Sequence, residues 1–515
     1  MTETEIRFAL TEPLAERLQR HYLADGAGVG EHNETVYYDT PDRLLWRHGA
    51  EFRLRENAKG IRQTVKYRTR EAVLFARHEA EIDLAVSEPD IGHLRRSIPG
   101  DLAEAVEGRT FAPVFRSSVD RVKAMVQQGD ARIELAYDRG RITAGPHGQA
   151  IHELELELKQ GSDADLADAV LAFLDRVPAG LQTLGKAARG FQLATGDTPQ
   201  PVFQEKQRIS ADTVLPEAVA LILRSAFAQA LANQAAVVAT EAPEAVHQMR
   251  VGLRRLRSIV AAFRPVLDLS ATGDLLERTK AFFSLLGDVR EADVFLTETV
   301  DTFPQSHGGG ERHAVLVREV ERFRDQARKR MIAHAAGPEF ARLALGWLRW
   351  IEGGDWLRND QPLDRLLQTR PVGAFAAGRL ESLTRKLVKR GHRALTGSVD
   401  DWHAARIAAK KLRYAGGPLL TVVDHEAGLK GTAQGSRRAT KRLARLQDEL
   451  GRFNDLCNVP LLLDRVAASV PPGSRPAFAV AAAYCGGWCD ARVAHAIPRL
   501  ETTWQAFEAA MKGPA

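Results

Sequence analysis

Three stretches in the first 200 residues place ionisable side chains on alternate positions: Glu3-Thr4-Glu5-Ile6-Arg7, Phe52-Arg53-Leu54-Arg55 and Glu153-Leu154-Glu155-Leu156-Glu157-Leu158-Lys159. A strand sends successive side chains to opposite faces, so this spacing gathers Glu3, Glu5 and Arg7 on one face and Glu153, Glu155 and Glu157 on one face. The stripes constrain the fold more than any other feature. In an ordinary half-buried sheet they would simply meet bulk water, but three carboxylates in line repel one another unless cations lie among them. Carboxylates suit a hard divalent cation, and the Arg-x-Arg strand supplies guanidinium groups for an anion. Together they are the two halves of a phosphoryl-transfer site.

Charge is unevenly divided along the 515 residues. Residues 1–200 hold 26 basic and 32 acidic side chains, a net of −6, whereas residues 201–515 hold 45 and 34, a net of +11. An acidic half that calls for cations is joined to a basic half that calls for anions. The length implies more than one domain, and 44% hydrophobic residues are ample for packed cores. Three cysteines, Cys457, Cys485 and Cys489, are too few and too clustered for a disulfide framework, which fits a reducing, cytoplasmic setting. Cys485 and Cys489 lack histidine partners at zinc-site spacing. No leader-like segment opens the chain and no apolar run approaches the ~20 residues that span a bilayer, so no membrane partner is expected.

Up to about residue 195, short β-type runs alternate with turn signals such as Thr40-Pro41-Asp42 and Ala144-Gly145-Pro146. The Pro, Gly and Thr residues of Thr195–Pro201 then break both periodicities, and long helical patterns rich in Ala, Leu and Arg follow. These changes put one domain at 1–197, a linker at 198–210 and a helical domain at 211–510. The helical part repeats itself. His247-x-x-Arg250-x-x-x-Arg254-Arg255-x-Arg257 recurs as His403-x-x-Arg406-x-x-x-Lys410-Lys411-x-Arg413 with identical spacing. At roughly 100° per residue, offsets 0, 3, 7 and 10 fall within one narrow helical stripe. Leu286-Gly287-Asp288-Val289-Arg290 and Leu450-Gly451-Arg452-Phe453-Asn454 form a second repeated element. A merely solvated basic face has no reason to repeat a histidine in register, so the spacing points to an extended polyanion held between two related halves.

The N-terminal residues resemble the CYTH superfamily, the triphosphate tunnel metalloenzymes, whose signature opens with Glu-x-Glu-x-Lys. Tyr37-Tyr38-Asp39-Thr40-Pro41, Arg53-x-Arg55, Thr64-x-Lys66, Arg77-x-Glu79-x-Glu81, Pro113-x-Phe115-Arg116, Asp138-x-Gly140, Glu153-x-Glu155-x-Glu157 and Lys186-Ala-Ala-Arg189-Gly190 follow in the family's order. Two positions depart from the pattern: Arg7 stands for the family's lysine and Gly185 for its usual serine. Arginine is a planar fork where lysine is a point charge, so the first exchange bears on rate or substrate preference. The resemblance implies an antiparallel β-barrel enclosing a tunnel. In it Glu3, Glu5, Glu153, Glu155 and Glu157 hold Mg²⁺ or Mn²⁺, and Arg7, Arg53, Arg55, Lys66, Arg116, Lys186 and Arg189 grip a triphosphate. Glu3, Glu5, Arg7 and Lys66 are then the catalytic set.

The two basic helices resemble the CHAD domain, the conserved histidine α-helical domain, over about residues 210–510. That resemblance implies two pseudo-symmetric four-helix bundles that bind polyphosphate through His247, Arg250, Arg254, Arg255, Arg257, His403, Arg406, Lys410, Lys411 and Arg413. The expected fold is thus α+β in two domains, a barrel followed by an all-α domain. The expected function is metal-dependent hydrolysis of inorganic triphosphate joined to polyphosphate binding, in the cytoplasm and, by the ligand's chemistry, at polyphosphate granules. Two alternatives stand beside it: a non-catalytic polyphosphate-binding protein, and a hydrolase or cyclase of an organic triphosphate such as thiamine triphosphate or ATP. Nucleic acid is disfavoured, because few aromatic side chains interleave the basic ones.

Overall fold

A computed structural model describes residues 2–24, 28–67, 75–204, 209–303, 309–354, 356–357, 366, 368–423 and 437–511. Residues 205–208 of the expected linker lie outside the described residues. The chain divides into two compact units: Met1–Val202 with Leu231–Ala245 and Ala333–Gly354, and Phe203–Ala230 with Val246–Ile332 and Asp355–Ala515.

The first unit is built on strands β1 (Thr2–Ala9), β2 (Val29–Asp39), β3 (Ala50–Asn57), β4 (Gly60–Tyr67), β5 (Ala76–Leu84), β6 (Ala112–Gln128), β7 (Ala131–Ala144), β8 (His147–Gln160) and the two-residue β9 (Gly180–Leu181). Eight of them run antiparallel in the order β5-β4-β3-β2-β6-β7-β8-β1, and β1 pairs back onto β5 through Thr2↔His78, Glu3↔Arg77 and Thr4↔Ala76. That pairing closes the sheet into a barrel. β9 continues the same edge of β1 beyond the point where β5 leaves it.

The barrel turns its charge inward. Glu3, Glu5 and Arg7 line a cavity, while Ile6 and Phe8, of opposite parity, are fully buried on the other face. That outer face is covered by helices α1 (Glu12–Tyr22), α2 (Leu44–Arg47), α3 (Ile91–Ser97), α4 (Gly100–Ala105) and α5 (Asp163–Arg176), whereas α6 (Lys186–Thr195) packs Ala187 and Phe191 on the inward-facing Tyr37, Phe115, Val119 and Ile142 and sets Lys186 at the cavity. Phe8 packs on Phe173 of α5, and Phe52 and Val65 share a core with Leu44, Leu45, Leu94 and Leu102. Each such side chain contributes roughly 1.5–3 kcal/mol of burial. The helices are what permit the lumen to be polar, because the apolar half of every strand finds its core outside the barrel. The returning helical segment Pro338–Gly353 is held to α5 by Arg349 on Asp168 and Arg342 on Asp175, each at 2.9 Å.

The Tyr37-Tyr38-Asp39-Thr40-Pro41 element explains one of these attachments. Asp39, fully buried, accepts backbone N–H bonds from Thr40 (2.7 Å), Leu45 (3.0 Å) and Trp46 (2.9 Å), tying β2 to the first turn of α2. Asp39→Ala strands three buried donors and is expected to cost roughly 3 kcal/mol, read as a lower midpoint in urea unfolding at unchanged slope.

The second unit is helical. Its first half contains α7 (Leu215–Ala232), α9 (Pro243–Phe263), α10 (Leu275–Val294) and α11 (Gly309–Ala336); the short α8 (Gln234–Ala239) and α12 (Pro338–Gly353) lie in the first unit. Its second half contains α13 (Val372–Leu395), α14 (Val399–Val423), α15 (Arg437–Ser469) and α16 (Arg475–Met511). Among the described residues each half contributes four long helices. Gly252 of α9 lies so close to α7 that a Cβ there would come within 2.7 Å of the Ala230 nitrogen. In the second half Gln447 of α15 donates to the Ala409 carbonyl of α14 at 2.7 Å, and Arg499 of α16 pairs with Glu449 at 2.6 Å. Leu215–Ala239 is long and apolar enough to cross a membrane by length and composition, contrary to the sequence expectation, yet 61% of that window is buried. Its Val219, Ile222, Leu223 and Phe227 are core residues of the second unit.

Candidate active site

The barrel encloses a cavity of about 300 Å³ lined by ten acidic and eleven basic side chains. Cross-strand register brings them together: Lys66 lies opposite Glu79 and Glu51, Arg7 opposite Glu155, and Arg121 opposite Asp138. Lys66 pairs with Glu3 and, at 3.1 Å, with Glu79. Arg77 reaches Glu51 at 3.0 Å and Glu5 at 4.0 Å. Arg121 binds Asp138 with both fork arms at 2.6 Å and also meets Glu155. Lys186, the first residue of α6, contacts Asp138 and Glu155 at 2.6 Å and pairs with Glu153.

These pairings set the protonation states. Burial pushes Glu155 up, but Lys186, Arg121 and Arg7 outweigh it and hold its carboxyl well below the usual range. Glu51 is likewise lowered against its burial by Arg77, Arg53 and Lys66. Arg55 behaves differently. The neighbouring Arg53, together with burial, pushes it down to about 10. The Nε atoms of Arg53 and Arg55 are buried without a hydrogen-bond partner among the described residues. Most of the lumen's bases therefore have acidic partners, Arg53 among them through Tyr37, Glu79 and Glu51, while Arg55 bears the repulsion of Arg53 two residues away on the same strand.

Most of the sequence-derived residues converge here. Glu3, Glu5, Arg7, Arg53, Arg55, Lys66, Glu155, Glu157 and Lys186 all line the cavity. Glu153 and Arg189 do not line it; they pair with each other, buried, beside Lys186. Arg116 requires correction. It is exposed, because the lumen-facing positions of β6 are Arg121 and Lys123, and Arg116 has the opposite parity. Arg121, Glu51 and Lys123 went unrecognised, although Glu51 extends the Arg53-x-Arg55 alternation and Arg121 alternates with Lys123, the signal that could have found them.

Asp138, Glu153 and Glu155 offer carboxylate oxygens within 4.8 Å of one another, a donor set of hard oxygens that suits a divalent cation. Lys186 already sits among them, so a cation would share or displace its contacts.

In the second unit, α9 carries the first basic repeat and α14 the second. The two ridges meet. Lys410 is pushed down to about 6, first by burial and then by Arg254, Arg406 and Arg250. Burial and Arg254 also lower Arg250 to about 10. Arg250 is anchored, donating to the Phe283 carbonyl at 2.9 Å and lying 4.2 Å from its ring. Gly287 leaves room for that guanidinium, since a Cβ there would come within 2.6 Å of it; its counterpart Gly451 has open space. Arg254 and Arg257 share the Phe283 ring. Arg257 and Lys411 are exposed beside a groove that also contains Arg264, Lys280, Arg379 and Lys386. His403 is exposed with Nδ1 3.0 Å from Asn454 Oδ1, His247 is half-buried, and Arg413 reaches Gln447. Arg255 departs from the expected ridge: it is buried, and burial pushes its guanidinium down to about 10.

Residues 1–191 match the CYTH domain family, and residues 221–463 match the CHAD domain family. The chain carries a CYTH domain followed by a CHAD domain. The inorganic triphosphatase of Haemophilus influenzae is 29% identical over 201 residues, which are 38% of this chain and 56% of that protein, so the match spans little more than half of the relative. Among solved structures, the CHAD domain from the plant Ricinus communis is 26% identical, covering 61% of this chain and 98% of its own, with a TM-score of 0.48. PptA from Streptomyces chartreusis is 17% identical, covering 58% and 100%, with a TM-score of 0.38. The CYTH domain thus contains the charged lumen, and the CHAD domain contains the basic junction.

Proposed function

We propose that the CYTH lumen hydrolyses inorganic triphosphate with a divalent cation, Mg²⁺ or Mn²⁺, and that the CHAD domain binds polyphosphate. The observation that carries the first part is Arg55, buried and pushed down by the neighbouring Arg53, with the Nε atoms of both lacking a hydrogen-bond partner among the described residues. Phosphate oxygens complete such a pair, since each guanidinium offers a planar fork. The named activity of the Haemophilus relative supports the same reading.

Near-equal numbers of acids and bases leave the lumen short of positive charge once a triphosphate enters, which favours an added cation. Glu3, Glu5, Glu153, Glu155 and Glu157, with Asp138, would hold it. When bound, such a cation neutralises phosphate charge and acidifies water. The chain's own part is positional. Arg53, Arg55, Arg7 and Lys66 orient the phosphates, and the buried carboxylates keep the bases ionised and in register until substrate arrives. Among the described lining residues Tyr37 is the one aromatic side chain, and it is itself buried, which disfavours stacking of a nucleobase or thiazolium. The kcat/KM for tripolyphosphate is accordingly expected to exceed that for ATP and thiamine triphosphate at least tenfold; equal or higher values for ATP overturn the inorganic specificity.

Polyphosphate binding rests on the convergence of Arg250, Arg254, Arg406 and Lys410 in one half-buried cluster. A polyanion restores the proton that this cluster strips from Lys410. The linkage sign follows: free Lys410 titrates near 6 and bound Lys410 higher, so binding takes up a proton and is tightest below pH 6. Affinity should weaken as pH rises from 6 to 8, by no more than about tenfold per unit for one proton. Calorimetry of the full chain with long-chain polyphosphate in EDTA, in two buffers of different ionisation enthalpy, reads the uptake. Free cysteines at all three positions agree with a reducing, cytoplasmic setting.

A further inference from the structure

The two positions at which the sequence departs from the CYTH pattern touch each other. Gly185 is the N-cap of α6, with φ −70° and ψ 171°, a conformation open to any residue, so the backbone does not require glycine there. What excludes a side chain is Arg7. A Cβ at position 185 would lie 2.1 Å from Arg7 Nη1 and 3.1 Å from its Cζ. The helix meanwhile forgoes a side-chain cap: no hydrogen bond from residue 185 satisfies its first N–H groups, although a serine there is well suited to do so.

The Arg7 fork lies where that side chain would be. It is 12% exposed, its Nε is 3.2 Å from Glu5 Oε1, and its charge acts on Glu155 and Glu51. Its Nε is buried without a hydrogen-bond partner among the described residues. Gly185, Lys186 and Ala187 line the cavity beside it, so the uncapped start of α6, the Lys186 ammonium and the Arg7 fork face one space.

We propose that Arg7 and Gly185 are one positioning unit: the missing side chain at 185 gives the arginine fork its seat over the start of α6, and the seated fork fixes the orientation of a phosphate group at that end of the lumen. This rests on the triphosphate reading above and adds to it the residue that sets Arg7's geometry. Because the clash falls on the tip of a flexible side chain, a residue at 185 moves the fork and leaves the fold intact. Stability and function should then part company.

The test is a double-substitution cycle in the full chain with Gly185→Ser, Arg7→Lys and both together, read by thermal midpoint, tripolyphosphate affinity and kcat/KM. Gly185→Ser should keep or raise the midpoint, through the cap it adds, yet weaken tripolyphosphate binding and kcat/KM at least tenfold. Arg7→Lys should weaken both as well, and Gly185→Ser should add less than a threefold loss in that background. A Gly185→Ser protein within threefold of wild type, or one equally impaired beside Lys at position 7, overturns the proposal. If Gly185→Ser does not fold, Gly185→Ala carries the same cycle with a smaller group. If the wild-type chain neither binds nor hydrolyses tripolyphosphate, the triphosphate reading fails, and the crystal structure of the Gly185→Ser variant decides the pairing: a displaced Arg7 fork upholds it, an unmoved one overturns it.

Discussion

Glu5→Gln lowers tripolyphosphate turnover at least a hundredfold, about 2.7 kcal/mol of transition-state stabilisation, while the thermal midpoint moves by only a few degrees. The substitution keeps shape and most of the volume, and Glu5 lies opposite Glu157 in the β1–β8 register, so losing one of two facing charges does not break the sheet. What it removes is the carboxylate that Arg7 and Arg77 approach at 3.2 and 4.0 Å. Both the seat of the Arg7 fork and a hard oxygen ligand disappear together. Steady-state kinetics with a circular dichroism control reads the result, and turnover within threefold of wild type would mean that Glu5 is only a counter-charge.

The second large effect lies in the helical unit. Arg254→Gln with Lys410→Gln should weaken long-chain polyphosphate binding at least thirtyfold, about 2 kcal/mol, and flatten its dependence on salt, because two phosphate contacts that release counterions are gone. These two residues are chosen over Arg250, whose buried guanidinium serves the Phe283 carbonyl and ring, so that its loss would confound binding with stability. Removing the Arg254 charge from a crowded cluster should raise the thermal midpoint of the unliganded protein. Calorimetry at two salt concentrations measures both affinity and slope; an unchanged slope would locate the polyanion elsewhere on the domain.

The lumen was legible in the sequence where the signal is local. Period-two charge names Glu3, Glu5, Arg7, Arg53, Arg55, Glu155 and Glu157 without any knowledge of strand order, since parity along one strand is enough. It fails where register decides. Arg116 sits inside a recognisable motif but on the outer parity of β6, and Arg121, whose one local signal is its alternation with Lys123, faces Asp138 across the β6–β7 ladder. The basic repeat was equally visible, because helical spacing is local. Its burial was not, since Arg255 and Arg250 are taken out of the surface by neighbours distant in sequence. The helical segments Leu231–Ala245 and Ala333–Gly354 return to the first unit for the same reason: tertiary packing, not periodicity, assigns them.

The central claim, that the charged lumen is a metal-dependent triphosphatase site, is tested most directly by the initial rate of orthophosphate release from tripolyphosphate. Purified full-length protein is assayed with Mg²⁺, with Mn²⁺ and after EDTA. The account predicts release with at least one of the two cations, abolished by EDTA and restored by adding the cation back. Release that persists in EDTA, or none with either cation from a folded protein, would contradict it.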